Sequence, residues 1–262
     1  MSHTDPDPFD AAGVSFASLL RAQAPDVLEG RFYGEVPDHV DGTTVLAVTF
    51  EGGVVMAGDR RATSGNIISK RDMRKVFPSD DWSAVAISGA AGPAMELAKI
   101  FATELEHYEK VEGSPLSLEG KANKLAQMVR GNLPMAMQGL VVVPLFAGYD
   151  LREEASRIYE YDAAGGRYEE RRFAATGSGG RDARGSLKAR FQLGFDREEA
   201  IDATIHALWD AADEDAATGG PDVVRGIYPL VAIIDADGYR ELEGEVVADR
   251  VDAVVASRRE QG

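Results

Sequence analysis

The pattern of apolar positions changes character several times along the chain, and each change marks an element. From Thr43 to Phe50 the residues are β-branched or apolar, and Val54 to Ala57 repeats that texture after Gly52-Gly53. Two such runs around a glycine pair predict a β-hairpin. Ile67-Ile68 and Met73 to Phe77 predict a further strand pair, and Trp82 to Ser88 another strand, ended by Gly89-Ala-Ala-Gly92. The period then lengthens. Met95, Ala98, Phe101, Leu105 and Tyr108 recur every three or four residues after Pro93, which suits a first helical turn. Gly113-Ser114-Pro115 interrupts, and Ala122, Leu125, Met128, Val129 and Leu133 form a second stripe. Strands return at Leu140 to Ala147, Arg157 to Tyr161 and Tyr168 to Ala174. Helices follow at Gly185 to Leu193 and Glu198 to Ala212, then a strand at Tyr228 to Ile234 and a closing helix at Val246 to Ala256.

Strands and helices therefore come in blocks instead of alternating singly. Blocks favour antiparallel sheets with helices layered on them over a doubly wound parallel sheet. Each amphipathic helix must cover a sheet face. About ten strands and two helix blocks predict an α+β fold in which two antiparallel sheets stack face to face with helices outside.

Residues 1–42 do not share this texture. They hold four prolines, eight acids and two arginines, with one short apolar patch from Phe16 to Leu20. Such a segment cannot bury enough apolar surface to hold one conformation, so it reads as extended or disordered apart from a short helix at the patch. The ordered texture begins at Thr43. The expected organisation is a leader, 1–42, and one domain, 43–262.

Composition narrows the chemistry. The chain has no cysteine, which removes disulfides, thiolate nucleophiles and cysteine metal sites together. No apolar run approaches the roughly 18 residues of a membrane span, and the N-terminus lacks a secretory signal. A cytoplasmic protein is expected. A formal charge of −16 repels phosphate backbones and anionic membranes, which disfavours nucleic-acid or membrane binding. Of the four histidines, His3 and His39 lie in the leader, His107 sits among glutamates, and His206 lies within a helix. None is placed as the base that a serine-type triad needs. Thr176-Gly177-Ser178-Gly179-Gly180 fits neither a nucleophile elbow nor a phosphate loop. The acidic residues from Asp210 to Asp222 do not have calcium-loop spacing. No metal or cofactor is expected.

If the chain is cut after Gly42, Thr43 becomes the N-terminus and carries its own base: the hydroxyl attacks and the α-amine takes its proton. Such an amine has a pKa of about 7.7–8.0, and a nearby cation lowers it. Asp59 follows the second strand of the hairpin, so it lies near the start of the first. Lys75, between apolar neighbours in an expected strand, can point inward, where it needs a carboxylate. Gly89 ends a strand, where a backbone N–H can face an oxyanion. Singly, each of these residues reads as ordinary strand or turn. Together they account for an ordered texture that starts at a Gly-Thr step.

The same residues carry a family resemblance. Gly42-Thr43-Thr44, Gly52-Gly-Val-Val-Met-Ala-Gly-Asp59-Arg-Arg61 and Arg71-Asp-Met-Arg-Lys75-Val76 closely resemble proteasome β subunits of the actinobacterial type. So do Glu104 to Lys110, Met128 to Leu133, Leu145 to Asp150, Asp162 to Gly166 and Ala211 to Gly226. The resemblance spans essentially all of 43–240. It implies a four-layer α-β-β-α sandwich of the N-terminal-nucleophile hydrolase type and autocatalytic cleavage between Gly42 and Thr43. It implies Thr43 as nucleophile, tuned by Asp59 and Lys75, with Gly89 in the oxyanion hole. Ser178, Asp215 and Thr218 are implied as the network near the amine, with threonine at 218 where relatives often carry serine. Thr63, Met73, Ile87 and Ala91 are implied at the substrate pocket, whose apolar side chains suit cleavage after hydrophobic residues. Implied partners are α subunits and other β subunits in a barrel of four seven-membered rings, an ATPase ring and protein substrates. Two alternatives remain open at this point: a non-catalytic ring subunit, and another N-terminal-nucleophile amidohydrolase.

Overall fold

The computed structural model describes residues 42–261. Residues 1–41, which hold nearly all of the expected leader (1–42) and the helix expected at Phe16 to Leu20, lie outside the described residues. Twelve strands and six helices follow within them. The opening hairpin is β1 (Thr44–Phe50) and β2 (Gly53–Gly58), paired with Val45 opposite Gly58. Next come β3 (Ala62–Ser64), β4 (Ile67–Lys70), β5 (Val76–Asp80) and β6 (Ser83–Gly89). The first helical block is α1 (Ala91–Glu112), α2 (Leu118–Gly131) and a single-turn α3 (Leu133–Ala136). Then follow β7 (Val142–Asp150), β8 (Ala155–Tyr161), β9 (Arg167–Glu170) and β10 (Phe173–Gly177). The chain ends with α4 (Gly180–Arg190), α5 (Arg197–Glu214), β11 (Leu230–Asp235), β12 (Gly238–Glu241) and α6 (Gly244–Gln261).

Two five-stranded sheets result, with orders β10-β1-β2-β11-β12 and β5-β6-β7-β8-β9, and every pairing in them is antiparallel. Strand alternation divides the core. Val45, Ala47, Val54 and Met56 of the first sheet meet Ala84, Ala86, Leu145 and Ile158 of the second. The opposite face of the first sheet, with Leu46, Val48 and Val55, packs on α4, α5 and α6. The outer face of the second, with Val85, Ile87 and Phe146, packs on α1 and α2. These three apolar seams define four layers, α-β-β-α. Successive side chains of a strand point to opposite faces, so both faces of each sheet need an apolar partner.

The structure departs from the expected elements in three places. Ile67–Lys70 pairs with Ala62–Ser64, not with the segment after residue 73. That later segment enters a ladder only at Val76, so Lys75 lies one residue before β5 instead of inside a strand. The charged run Arg71-Asp72 offers no apolar face to hold it in a sheet. The strand expected at Tyr168 to Ala174 is two strands, β9 in the second sheet and β10 in the first. The break falls at the exposed Arg171 and Arg172, whose carbonyls accept hydrogen bonds from Thr49. The helices run a few residues beyond their apolar stripes because caps set their ends. Ser117 accepts from Gly120 N–H at the start of α2, and Asp196 and Glu199 form a capping box at the start of α5.

Candidate active site

Thr43 immediately precedes β1 and is 4% exposed. It is held from both sides by backbone. Its carbonyl accepts from Ser178 N–H at 2.8 Å, beyond the end of β10, and the carbonyl of Thr44 accepts from Asp59 N–H at 3.0 Å. The strand register thus places the residues after β2 and after β10 against the start of β1.

Asp59 is fully buried and takes four donors. Its Oδ1 accepts from Thr44 N–H at 2.8 Å and from Lys75 Nζ at 2.6 Å; its Oδ2 accepts from Arg61 N–H at 2.9 Å and Gly219 N–H at 2.8 Å. Lys75 is 1% exposed and reaches across from the second sheet. Besides Asp59, its ammonium donates to Arg61 O at 2.5 Å and lies 3.5 Å from Gly42 O. Three N–H groups meet three oxygens, the arrangement of a charged ammonium held by a charged carboxylate. The Thr43 hydroxyl itself donates to Gly42 O at 2.8 Å. The carbonyl of the Gly42–Thr43 bond therefore lies between the hydroxyl that could attack it and a buried cation.

A second acid lies on the other side of Thr43. Asp215 closes α5, where a negative charge opposes the helix dipole, and no basic residue occupies that last turn. Local hydrogen bonds offset the conflict. Ser178 Oγ donates to Asp215 Oδ2 at 2.5 Å, Thr218 Oγ1 donates to the same oxygen at 2.6 Å, and Ala217 N–H donates to Oδ1 at 3.0 Å. Burial pushes the Asp215 carboxyl up, but these donors and the Lys75 charge outweigh it and hold the group below the usual carboxylate range. Ser178 Oγ in turn accepts from Thr43 N–H at 3.2 Å. Ser178 is exposed, so this arm opens to solvent.

Gly89 and Gly42 are both required by the local geometry. Gly89 ends β6 with φ +96°, and a Cβ there would fall 2.1 Å from Val141 O. Gly42 is seated by a hydrogen bond from its N–H to Thr63 Oγ1 at 3.0 Å, and a Cβ on it would fall 1.9 Å from Ala217 Cβ. Beside α1 a cleft of about 300 Å³ is lined by Ala62, Ser69, Lys70, Met73, Ala91 and Leu140, among others.

Of the residues expected at a site, the structure brings Gly42, Thr43, Asp59, Lys75, Ser178, Asp215 and Thr218 into one hydrogen-bonded group. Met73 and Ala91 line the cleft. Thr63 seats Gly42, and Ile87 is buried in the core under α1. His107 is exposed on α1, and His206 is half-buried in α5. The acidic run at the end of α5 divides: Asp210 pairs with Arg258, whereas Asp215 turns into the site. Among the described residues no group of histidines and acids is arranged to hold a metal ion, and no helix is long and apolar enough to cross a membrane.

Sequence reasoning missed Thr44, Arg61 and Gly219. Arg61 and Gly219 contribute backbone atoms, which side-chain identity does not reveal. Thr44 left a signal. It shares strand parity with Leu46 and Val48 on the face that packs against helices, and a polar side chain at the end of a buried apolar stripe needs a partner.

The family model described as proteasome subunit matches residues 40–225. The proteasome subunit beta of Acidothermus cellulolyticus is 55% identical, over 97% of this chain and 90% of its own length. That of Acidimicrobium ferrooxidans is 54% identical over 96% and 94%, and that of Frankia casuarinae is 50% identical over 96% and 97%. Matches of this length and identity show that the chain belongs to the proteasome subunit family, among β subunits of the actinobacterial type.

Proposed function

We propose that the chain is the catalytic β subunit of a bacterial proteasome core, made as a precursor and converted to a threonine-type endopeptidase by cutting its own Gly42–Thr43 bond. The observation that carries this reading is the seat of that bond. Thr43 Oγ1 lies 2.8 Å from Gly42 O, and Lys75 Nζ lies 3.5 Å from the same oxygen, backed by Asp59. In the first step Thr43 Oγ attacks the Gly42 carbonyl carbon. A C–O bond forms, the C–N bond breaks, and the hydroxyl proton ends on the freed amine. Water then cleaves the ester, restores the hydroxyl and leaves Gly42 as a carboxylate.

In the mature enzyme the free amine becomes the base. It takes the Thr43 hydroxyl proton, directly or through one water, as the oxygen attacks a substrate carbonyl. The Lys75 ammonium favours both the deprotonated oxygen and the neutral amine. Ser178, tied to Asp215, keeps the amine in place. Gly89 N–H stabilises the oxyanion, and the α-ammonium returns its proton to the leaving nitrogen. The apolar wall of the cleft at Met73 and Ala91 receives the side chain before the cut. Protein substrates reach it inside a barrel built with α subunits and further β subunits, fed by an ATPase ring in the cytoplasm. A ring subunit serving only as scaffold has no use for a buried cation aimed at the Gly42 carbonyl.

Co-expression with an α-subunit partner followed by intact-mass measurement tests the proposal. The wild type is expected to lose residues 1–42, and Thr43→Ala to keep them and to cleave no peptide. A full-length but active wild type, or a processed Thr43→Ala, would overturn it.

A further inference from the structure

The two acids flank Thr43 from opposite sides, and one residue touches the network of each. Thr44 donates its backbone N–H to Asp59 Oδ1 at 2.8 Å. Its hydroxyl lies 2.6 Å from Thr218 Oγ1 and accepts from Gly179 N–H at 3.0 Å. Both Thr44 and Thr218 are fully buried. The direction of each bond is set by its neighbours. An ionised Asp215 only accepts, so the Thr218 hydrogen points at it. Thr218 Oγ1 then has only lone pairs left for Thr44, and the Thr44 hydroxyl must be the donor. The bonds run one way: Gly179 N–H to Thr44 O–H, to Thr218 O–H, to Asp215. In such a chain each donor is strengthened by the bond it accepts.

We infer that Thr44 is a positioning residue of the catalytic site, whose hydroxyl locks Thr218 and Asp215 in register with Asp59 and so fixes both the hydroxyl and the amine of Thr43. The inference rests on the threonine-peptidase reading and extends it. Thr44 follows the nucleophile in the chain, so any rotation of its peptide unit moves Thr43 directly. Its side chain anchors that unit to the Asp215 arm and its N–H anchors it to the Asp59 arm. Valine keeps the volume and β-branching of threonine but gives Thr218 no donor and Gly179 N–H no acceptor. Serine keeps both.

The test uses full-length chain assembled with its α partner, as wild type, Thr44→Val, Thr44→Ser and Thr43→Ala. Active sites are counted by covalent titration with an electrophilic peptide that labels an N-terminal threonine. The kcat and KM for a fluorogenic peptide with an apolar residue before the cut are then expressed per titrated site. Thr44→Val is expected to lower kcat per site about 10- to 100-fold, the scale of a misplaced catalytic group, with KM within about twofold. Thr44→Ser is expected to stay within about threefold of wild type on the same scale. A role in folding alone would reduce the number of titratable sites and leave kcat per site unchanged. That result, or a serine variant as slow as the valine variant, overturns the inference. If Thr44→Val does not assemble, Thr44→Ala removes the same hydroxyl without added bulk and is read by the same criteria. Cleavage and activity in Thr43→Ala would instead sink the underlying peptidase reading, which separates the two failures.

Discussion

The ammonium of Lys75 and the carboxylate of Asp59 meet at 2.6 Å with side chains 1% and 0% exposed, each brought by a different sheet. Burying two charges is costly, and their attraction repays it only when the remaining lone pairs and protons are also bonded. Here they are: Asp59 takes three backbone N–H groups besides the lysine, and Lys75 reaches two carbonyls besides the acid. Asp59→Asn keeps the shape but removes the counter-charge and turns an N–H₂ towards N–H donors. It is expected to destabilise the subunit by about 3–5 kcal/mol, the cost of an uncompensated buried charge. It should also block cleavage after Gly42. Lys75→Met removes the cation and leaves the Asp59 charge buried on backbone donors alone, so a loss of stability on the same scale is expected. The folded fraction should cut Gly42–Thr43 at least about 100-fold more slowly, as for other losses of charge at a developing oxyanion. Denaturant titration and intact mass check both. A Lys75→Met subunit that processes at the wild-type rate would remove the cation from the mechanism.

Gly42 and Ala217 leave no space for a side chain between them, since a Cβ on Gly42 would lie 1.9 Å from Ala217 Cβ. Gly42→Val must shift either the scissile bond or the Ala216-Ala217 turn. Overpacking of this kind costs about 1–3 kcal/mol, and about 1.4 kcal/mol is tenfold in rate. Cleavage is therefore expected to slow about 10- to 100-fold. On the proposed cleavage residue 42 leaves with the segment before it, so molecules that do complete the cut should turn over peptide at the wild-type rate per titrated site. Ala217→Gly in the same chain should recover part of the processing rate. A time course of intact mass after mixing with the α partner reads both. Unslowed cleavage in Gly42→Val would mean the bond is cut from a different seat.

The pH dependence follows from which group titrates in the working range. Asp215 is held below the usual carboxylate range by Ser178, Thr218, Ala217 N–H and the Lys75 charge, against the opposing push of burial. A depressed carboxyl adds stability that is present above its unfolded pKa of about 3.9 and is lost only as pH falls through the lower folded value. Asp215 thus stays ionised through mild acid, and on the proposed mechanism the acid limb of kcat/KM belongs to the freed Thr43 amine. The Asp215 anion favours the charged amine. Asp215→Asn should lower the maximal rate and move the acid limb to lower pH. A limb that stays in place would show that the amine does not sense Asp215, and one that moves up would reverse the sign of the interaction.

The layering was legible in the sequence because period and burial agree. β1 and α5 carry continuous apolar stripes, and blocks of strands and helices specify stacked antiparallel sheets before any contact is known. Hairpin geometry made the approach of Asp59 to Thr43 legible, whereas Lys75 was reached from its apolar neighbours, through a strand position it does not occupy. What sequence could not resolve depends on backbone routing. The chain crosses from the second sheet to the first at Arg171-Arg172, within a stretch that reads as one strand. Ile67–Lys70 turns back on Ala62–Ser64 through a register shift that no apolar pattern announces. In the site, Ser178, Asp215 and Thr218 came from family resemblance. The sequence does carry one physical hint of them, an acid at a helix C-terminus with no base in its last turn.

The cleft beside α1 makes the last prediction, on substrate choice. Ala62, Met73 and Ala91 give it an apolar wall, with Ser69 and Lys70 also on its lining and Lys70 exposed to solvent. Its volume of about 300 Å³ accommodates a leucine or phenylalanine side chain because residue 91 is only a methyl group. Ala91→Phe would fill it. A hydrophobic pocket discriminates by about 1–3 kcal/mol per methylene lost or gained, roughly 10- to 200-fold. The variant should therefore lose at least about tenfold in kcat/KM on peptides cut after leucine or phenylalanine, on that scale. It should lose much less on peptides cut after alanine, whose methyl still fits the mouth of the cleft. The ratio of the two values, measured on one preparation, cancels differences in assembly and processing. If Ala91→Phe slows both peptides equally, the cleft does not receive the side chain before the cut, and the selectivity must come from another surface.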